Sequence, residues 1–285
     1  MTASKPDAEF GSLETAYDRD GFFLPYDVIS ENEARAIRED LEAAEQELAD
    51  RPEELALLRS FPDRLLPSFD ALIRHPRLLD AAAQLLGPDL MVWSSGLFIK
   101  EAATPSFVTW HQDLTYWGLN NAEEVTAWVA LSPSTLESGC MRFIPGSHKQ
   151  QLVAHQDSFD KDNLLSRGQE IAVRVDDATA VDVILKPGQT SLHHGHLFHA
   201  SGPNQSNDRR IGAAIRYIKP SMRQTNGERT RVALVSGQDQ FNHFEVAAPT
   251  KGRLLPEDFD HCRRDSAVRR QVLYQGAAQS NGQRY

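Results

Sequence analysis

A net charge of −10 over 285 residues sets the chain against phosphate backbones and anionic lipid surfaces, so neither nucleic acid nor membrane is expected as a partner. With 40% hydrophobic and 25% charged residues it can bury a core unaided, and any metal it binds therefore serves chemistry rather than folding. Two cysteines, Cys140 and Cys262, exclude a disulfide framework or a Cys-rich zinc site. With no apolar signal core in Met1–Phe10 and no run of roughly 18 apolar residues, the expected location is the cytoplasm. A homo-oligomer is left open.

Residues 1–12 read as a mobile N-terminus. Leu13 to Asp20 predicts a short helix, punctuated by Gly21 before the apolar stretch Phe22-Phe23-Leu24-Pro25. Ser30, with Glu33 three residues on, predicts a capping box. The helix it opens runs to about Ala49, with apolar positions at Ala34, Ile37, Leu41, Ala44 and Leu48. A second helical pattern spans Pro76 to Leu86 and stops at Gly87.

After residue 88 the period shortens to that of strands: Leu90–Lys100, Phe107–Asp113, Val125–Leu131, Cys140–Ile144, Ala180–Leu185, Thr190–His194 and Arg210–Ile218. Turn residues such as Ser138-Gly139, Pro145-Gly146 and Pro187-Gly188 separate them. Short strands without intervening helices predict a mainly β fold, an antiparallel sandwich or jelly roll with the N-terminal helices packed outside. No repeat or linker divides the chain, so residues 1–285 are expected to form a single domain. Its core covers about 15–220, and the extension 221–285 is read as less regular, a place for lid or oligomer contacts.

The chemistry-bearing segment is Trp110-His111-Gln112-Asp113. In a strand, residues i and i+2 share a face, so His111 and Asp113 aim at one point. A third ligand is expected from another strand, and His199 supplies it. Two histidines and a carboxylate leave three positions of an octahedral ion open, the arrangement of non-haem Fe(II) oxygenases. The motif alone is weak, because the chain holds a second copy, His155-Gln156-Asp157, and a variant, His243-Phe244-Glu245. His111 follows the apolar run Phe107-Val108-Thr109-Trp110, which reads as a buried strand. His155 is followed by Ser158, Asp160, Lys161, Asp162 and Asn163, which read as a solvated loop, and His243 lies in the irregular tail. Within His193-His194-Gly195-His196-x-x-His199 several positions offer a ligand. His199 is preferred because Arg210 follows at the start of the next strand, where a guanidinium can grip a carboxylate with two parallel hydrogen bonds. Arg209 fits a surface ion pair better.

These residues resemble the phytanoyl-CoA dioxygenase (PhyH) family, in its small-molecule bacterial branch. Besides the metal motif, the matching pieces are Thr126-Ala127-Trp128-Val129-Ala130-Leu131, the run Gly139 to His148, and His199-x-Ser201-Gly202-x-Asn204 followed by Arg210. The resemblance covers roughly residues 15 to 220. It implies a double-stranded β-helix (jelly-roll, cupin-like) fold, with Fe(II), 2-oxoglutarate and O2. It further implies that Arg210 and Ser201 bind the far carboxylate of 2-oxoglutarate, and that Gln112, Trp128 and, more loosely, Lys100 line the cosubstrate pocket. Relatives with a small residue in place of the aspartate are halogenases. Asp113 therefore implies hydroxylation or another oxidation of a small molecule, with succinate and CO2 as co-products. Tyr116 and Trp117 are candidates for the substrate wall, with ordinary aromatic core as the alternative. Two rival classes remain at this point. A cupin-like, non-oxidative metal enzyme would not need Arg210, and a non-catalytic binding relative would normally have lost a ligand. Arg216 and Arg223 could meet an anionic group, although surface pairing is the commoner role of arginine.

Overall fold

The structure, a computed structural model, describes residues 12–158, 160–165, 169–225 and 229–273. The expected mobile N-terminus lies outside the described residues, except for Ser12, which caps the first helix. That helix is α1 (Leu13–Asp20), ended by Gly21 in the left-handed region and followed by β1 (Phe22–Asp27). Next, α2 (Glu31–Glu47) opens on Ser30 with both halves of the capping box in place, a device worth about 0.5–2 kcal/mol. Three short helices follow, α3 (Pro52–Ser60), α4 (Pro62–Leu65) and α5 (Pro67–Ile73), then α6 (Pro76–Leu86). The first three were not predicted. Each starts on a proline at its first turn, and each is too short for a helical period to emerge.

The β region comprises β2 (Leu90–Lys100), β3 (Val108–His111), β4 (Glu124–Ala130), β5 (Met141–Phe143), β6 (His155–Asp157), β7 (Gln169–Ile171), β8 (Val181–Val183), β9 (Gln189–His193), β10 (His199–Ser201), β11 (Arg210–Ile218), β12 (Arg231–Ser236) and β13 (Glu245–Val246). A seven-stranded sheet runs β1-β9-β4-β11-β2-β12-β13, a four-stranded sheet runs β3-β10-β5-β8, and β6 pairs with β7. All pairings are antiparallel except the short β12–β13 contact. The architecture is a jelly roll, mainly β with flanking helices.

β4 and β11 run through the middle of the large sheet and are covered on both faces. On one face Val125, Ala127, Val129, Ile211, Ala213, Ile215 and Tyr217 pack against the helical layer, with Leu41, Phe69, Leu78 and Ala82 among their neighbours in the core. The Tyr217 hydroxyl donates to the Ile73 carbonyl at 2.8 Å, fixing helix to sheet. On the other face the alternate residues, Thr126 and Trp128 of β4 and Arg210, Ala214 and Arg216 of β11, look into the space between the sheets. Residue 212 shares that face and is a glycine there, since a Cβ would strike the Trp128 ring, 1.8 Å from its nearest atom.

Two expectations are corrected by the fold. The strand carrying the metal motif stops at His111, and Asp113 opens a 3-10 turn, Asp113–Tyr116, instead of continuing the strand. The C-terminal extension is also more regular than its sequence suggests. It contributes β12 to the large sheet and an 18-residue helix, α7 (Pro256–Leu273), which packs on α3 and α4. Among the described residues no helix is long and apolar enough to cross a membrane.

Candidate active site

His111 ends β3 and His199 begins β10, and the two are directly opposite in the antiparallel register. Their ring centroids lie 4.0 Å apart. Each ring turns Nδ1 to the carbonyl two residues earlier, Thr109 for His111 and Leu197 for His199, both at 2.9 Å. With Nδ1–H donating to a carbonyl, Nε2 carries the free lone pair that a metal needs. Asp113 swings in from the 3-10 turn, its Oδ1 standing 3.4 Å from His111 Nε2 and 3.9 Å from His199 Nε2. Three ligand atoms thus lie within 4.8 Å of one another. Burial pushes the His199 ring well below the ordinary histidine range, with the nearby His111 adding to it, so the ring stays neutral. Burial opposes ionisation of Asp113, but His111, His199 and Arg216 outweigh it and hold the carboxyl well below the usual carboxylate range. Two imidazoles beside an ionised carboxylate form a nitrogen–oxygen donor set that suits Fe(II).

The turn holding Asp113 is braced from below. The Leu114 N–H donates to the Gly195 carbonyl at 3.1 Å, and the Gly195 N–H donates to the Glu124 carboxyl. A side chain at residue 195 would meet Glu124 Oε1 at 2.5 Å and Leu114 Cγ at 2.6 Å. This explains why a glycine interrupts the histidine run. Burial and the Asp113 charge push Glu124 up to about 8, so it serves as a neutral acid at neutral pH. Of the histidine run, His193 is buried with its ring 5.1 Å from that of His199, whereas His194 and His196 sit beside His148.

Next to the triad is a buried cationic corner. Lys100 closes β2 and Arg210 opens β11, directly opposite each other in the sheet and 0% and 1% exposed. Lys100 Nζ reaches Ser201 Oγ at 2.7 Å, the Gly139 carbonyl at 3.3 Å and the Gly202 carbonyl. Arg210 donates to the Gly139 carbonyl at 2.8 Å and lies 5.2 Å above the Trp128 ring, its Nε buried and unpaired. Burial lowers both groups, Lys100 to about 6 with the Arg210 guanidinium adding to it, and Arg210 to about 10. Charging both would set like charges opposite each other on neighbouring strands, and no carboxylate lies within ion-pair distance of either among the described residues. The corner is built for an anion. Asn204 holds it in register, its amide donating to the carbonyls of Lys100, Glu101 and Asp208. Arg209, one residue earlier, points outward into ion pairs with Glu45 and Glu101, both at 2.8 Å.

Ser201, Trp128 and Arg210 line a narrow cavity at the triad, with Lys100 behind them. Gln112 is placed otherwise. Its amide donates to the Gln151 carbonyl and, at 2.7 Å, to the His196 carbonyl, and accepts from Val153 N–H at 2.9 Å, so it clamps a loop rather than facing Arg210. A larger cavity of about 270 Å³ opens on the other side of the triad, sharing His111, Asp113, Phe98 and Arg216 with the narrow one. Tyr116 and Trp117 are in its wall, and Trp117 packs on Trp93 at 4.9 Å.

A family model described as Phytanoyl-CoA dioxygenase (PhyH) matches residues 17–212. The chain belongs to the phytanoyl-CoA dioxygenase family. Within and around that family, a solved structure of the apo form of the non-haem monooxygenase ThoJ is 34% identical with a TM-score of 0.84, covering 93% of this chain and 98% of that one. The L-proline trans-4-hydroxylase of Streptomyces griseoviridis is 29% identical over 226 residues, 70% of this chain and 83% of that one. A probable alpha-ketoglutarate-dependent hypophosphite dioxygenase of Stutzerimonas stutzeri is 27% identical over 157 residues, and the match spans about half (54%) of its length.

Sequence reasoning missed three residues of this phytanoyl-CoA dioxygenase site, His155, Glu124 and Arg269. His155 is not in a solvated loop. It begins β6, half-buried, and its Nε2 accepts the Gln112 N–H at 3.1 Å between the two metal ligands. Its Nδ1 faces the Val153 carbonyl at 2.9 Å and burial lowers its pKa, which keeps the accepting tautomer. Glu124 and Arg269 announce themselves only through contacts distant in sequence. Arg216, already offered as a partner for an anion, has the even spacing from Arg210 along one strand that puts both on one face.

Proposed function

We propose that this cleft oxidises a small molecule beside a His111–Asp113–His199 iron centre, with Arg210 as the anchor of 2-oxoglutarate. The chain is an Fe(II)- and 2-oxoglutarate-dependent dioxygenase. When bound, Fe(II) and 2-oxoglutarate would activate O2, the oxidant: the keto acid gives up two electrons and leaves as succinate and CO2, the substrate gives up two more, and one oxygen atom goes to succinate and the other to the organic product. The observation that carries the reading is the pairing of a two-His, ionised-Asp donor set with a buried cationic corner that no carboxylate among the described residues answers.

The residues divide the work by position. His111 and His199 hold the metal through Nε2, oriented by backbone carbonyls, and Asp113 supplies the negative charge. Arg210 and Ser201 grip the far carboxylate, Lys100 backs them, and Trp128 forms the flat wall. Phe98, Trp93 and Trp117 keep bulk water off the metal face that meets substrate. A non-oxidative metal enzyme or a binding relative would leave Lys100 and Arg210 opposed and unanswered. The catalytic unit is one domain, with α7 closing the substrate side, and its two free cysteines suit a reducing cytoplasm. The test is succinate release under Fe(II), ascorbate and 2-oxoglutarate across small-molecule classes. Substrate-dependent, stoichiometric succinate is expected, and its loss in His199→Ala should follow. Substrate turnover that ignores 2-oxoglutarate would sink the reading.

A further inference from the structure

The larger cavity carries more cations than its protein partners answer. Arg59, on its rim, is paired with Glu45 at 2.7 Å. Arg216 and Arg269 differ: among the described residues neither has a carboxylate within ion-pair distance, although the Arg216 charge helps hold the Asp113 carboxylate ionised. Arg216 donates to Ser94 Oγ at 3.3 Å, lies 5.1 Å over the Trp117 ring, and leaves its Nε without a partner. Arg269 comes from α7, donates to the Trp93 carbonyl at 3.2 Å and lies 4.3 Å over the Phe61 ring. The acids nearest Arg269 are engaged elsewhere, Asp63 with Ser95 and Arg64 and Asp265 with Arg231 at 3.7 Å. The rest of the wall is mostly apolar, with Phe61, Trp93, Phe98 and Trp117 prominent and Ser94, Ser95 and Thr230 among its polar side chains.

We propose that Arg216 and Arg269 bind an anionic group of the substrate, so that the substrate class is a small carboxylate, sulfonate or phosphorylated compound with a flat, apolar body. This rests on the functional reading above and narrows it. The geometry gives each end of β11 its own task. Arg210 and Arg216 share the inner face of the strand, with only Gly212 and Ala214 between them. One arginine faces the narrow cavity alone, while the other borders both cavities. An anion between Arg216 and Arg269 would set the apolar body against Trp93 and Trp117, with the metal face at its side. A cavity of about 270 Å³ lies at the low end for small-molecule sites, which suits a compact acid.

The test uses two fluorescent probes of one shape, anilinonaphthalene sulfonate and neutral N-phenylnaphthylamine, titrated anaerobically into the Fe(II)- and 2-oxoglutarate-loaded protein. Wild type should bind the sulfonate at least tenfold tighter than the neutral probe. Arg216→Gln and Arg269→Gln should each remove most of that preference while leaving the neutral probe's affinity within about twofold, and Arg216→Lys should restore part of it. In the same samples, the visible absorption of the keto acid chelated to Fe(II) reports cosubstrate binding, which should be unchanged in Arg269→Gln and Arg216→Lys. Arg216→Gln also removes a charge that helps hold Asp113 ionised, so its Fe(II) affinity is measured separately, without keto acid. The proposal is overturned by an absent preference in wild type, by a preference that both glutamine variants retain, or by loss of 2-oxoglutarate from Arg216→Gln at unchanged Fe(II) affinity, which would hand that arginine to the cosubstrate. If wild type shows no keto acid absorption at all, the dioxygenase reading fails instead, and the probe comparison still decides whether the cavity selects anions.

Discussion

Binding of 2-oxoglutarate should draw a proton from solution onto Lys100. Burial first, and the Arg210 guanidinium second, push the free amine down to about 6, against three oxygen acceptors around Nζ that favour the ammonium. Ser201 Oγ is 2.7 Å from Nζ, so a carboxylate bound to that hydroxyl would stand about 5 Å from the amine. At an effective dielectric of about 20 the attraction is about 3 kcal/mol, or roughly 2 pH units, which moves Lys100 to roughly 8. At pH 7.5 the protonated fraction would then rise from a few per cent to about three quarters, an uptake of about 0.7 proton. Because binding takes up a proton, affinity falls as pH rises from 6 to 8, by up to about tenfold per unit. Isothermal titration of the metal-loaded protein, without O2, in two buffers of different ionisation enthalpy measures the uptake directly. Lys100→Met should bind 2-oxoglutarate with none of it, which also subtracts protons released at the metal. Tight binding to wild type with zero uptake would refute the reasoning, showing that the acceptors around Nζ keep Lys100 charged throughout.

Three further outcomes follow from the geometry. Arg210→Ala should weaken 2-oxoglutarate binding by about 2–5 kcal/mol, and Arg209→Ala, which loses only surface ion pairs, by less than about 1 kcal/mol; equal losses in the same titration would undo the assignment. His155→Ala removes the acceptor of the Gln112 N–H and should weaken Fe(II) binding about tenfold, short of the complete loss in His111→Ala; unchanged metal affinity would make His155 a bystander. His194 is held down to about 3 by burial, with His196 and His148 adding to it, and its Nδ1 accepts the His196 N–H at 3.0 Å. The unfolded chain therefore binds a proton that the folded chain refuses between about pH 6.5 and 3, so stability present above 6.5 is lost as pH falls, by up to about 1.4 kcal/mol per unit. Urea midpoints from pH 7 to 5 should fall less steeply in His194→Asn, and identical slopes would count against it.

Sequence revealed those parts of the fold whose causes are local. The Ser30–Glu33 box and the bounds of β2 and β11 are written in neighbouring residues, a cap in one case and a doubly covered strand in the others. α7 was missed because its buried positions, Phe259, Cys262 and Val272, are thinly spread among charged residues and are chosen by the tertiary contact. The misreading of His155 has the same origin. Polar followers suggest solvent, but the imidazole is recruited from 43 residues away by an N–H left over where β3 gives way to the turn. Spacing found the three ligands, yet for a partly wrong reason. Asp113 reaches the site by turning out of the strand, held there by Gly195 and Glu124, which no local pattern connects.

The placement of charge on β11 shows why such a site can be afforded by a protein of this size. Two arginines on the inner face of a central strand, one of them opposite a buried lysine, work against folding, since each gives up hydration and neither has a carboxylate within ion-pair distance among the described residues. The same strand's other face contributes Ile211, Ala213, Ile215 and Tyr217 to the main core, side chains that each favour burial by roughly 1–3 kcal/mol when large and apolar. The helical layer therefore stabilises the strand that the site strains. Separation of the two roles by the alternation of a single strand lets anion recognition be changed at Arg210 or Arg216 without touching the contacts that hold the sheet. It also ties the function to the fold's one invariant geometric fact, that successive side chains of β11 must face opposite ways, core on one side and chemistry on the other.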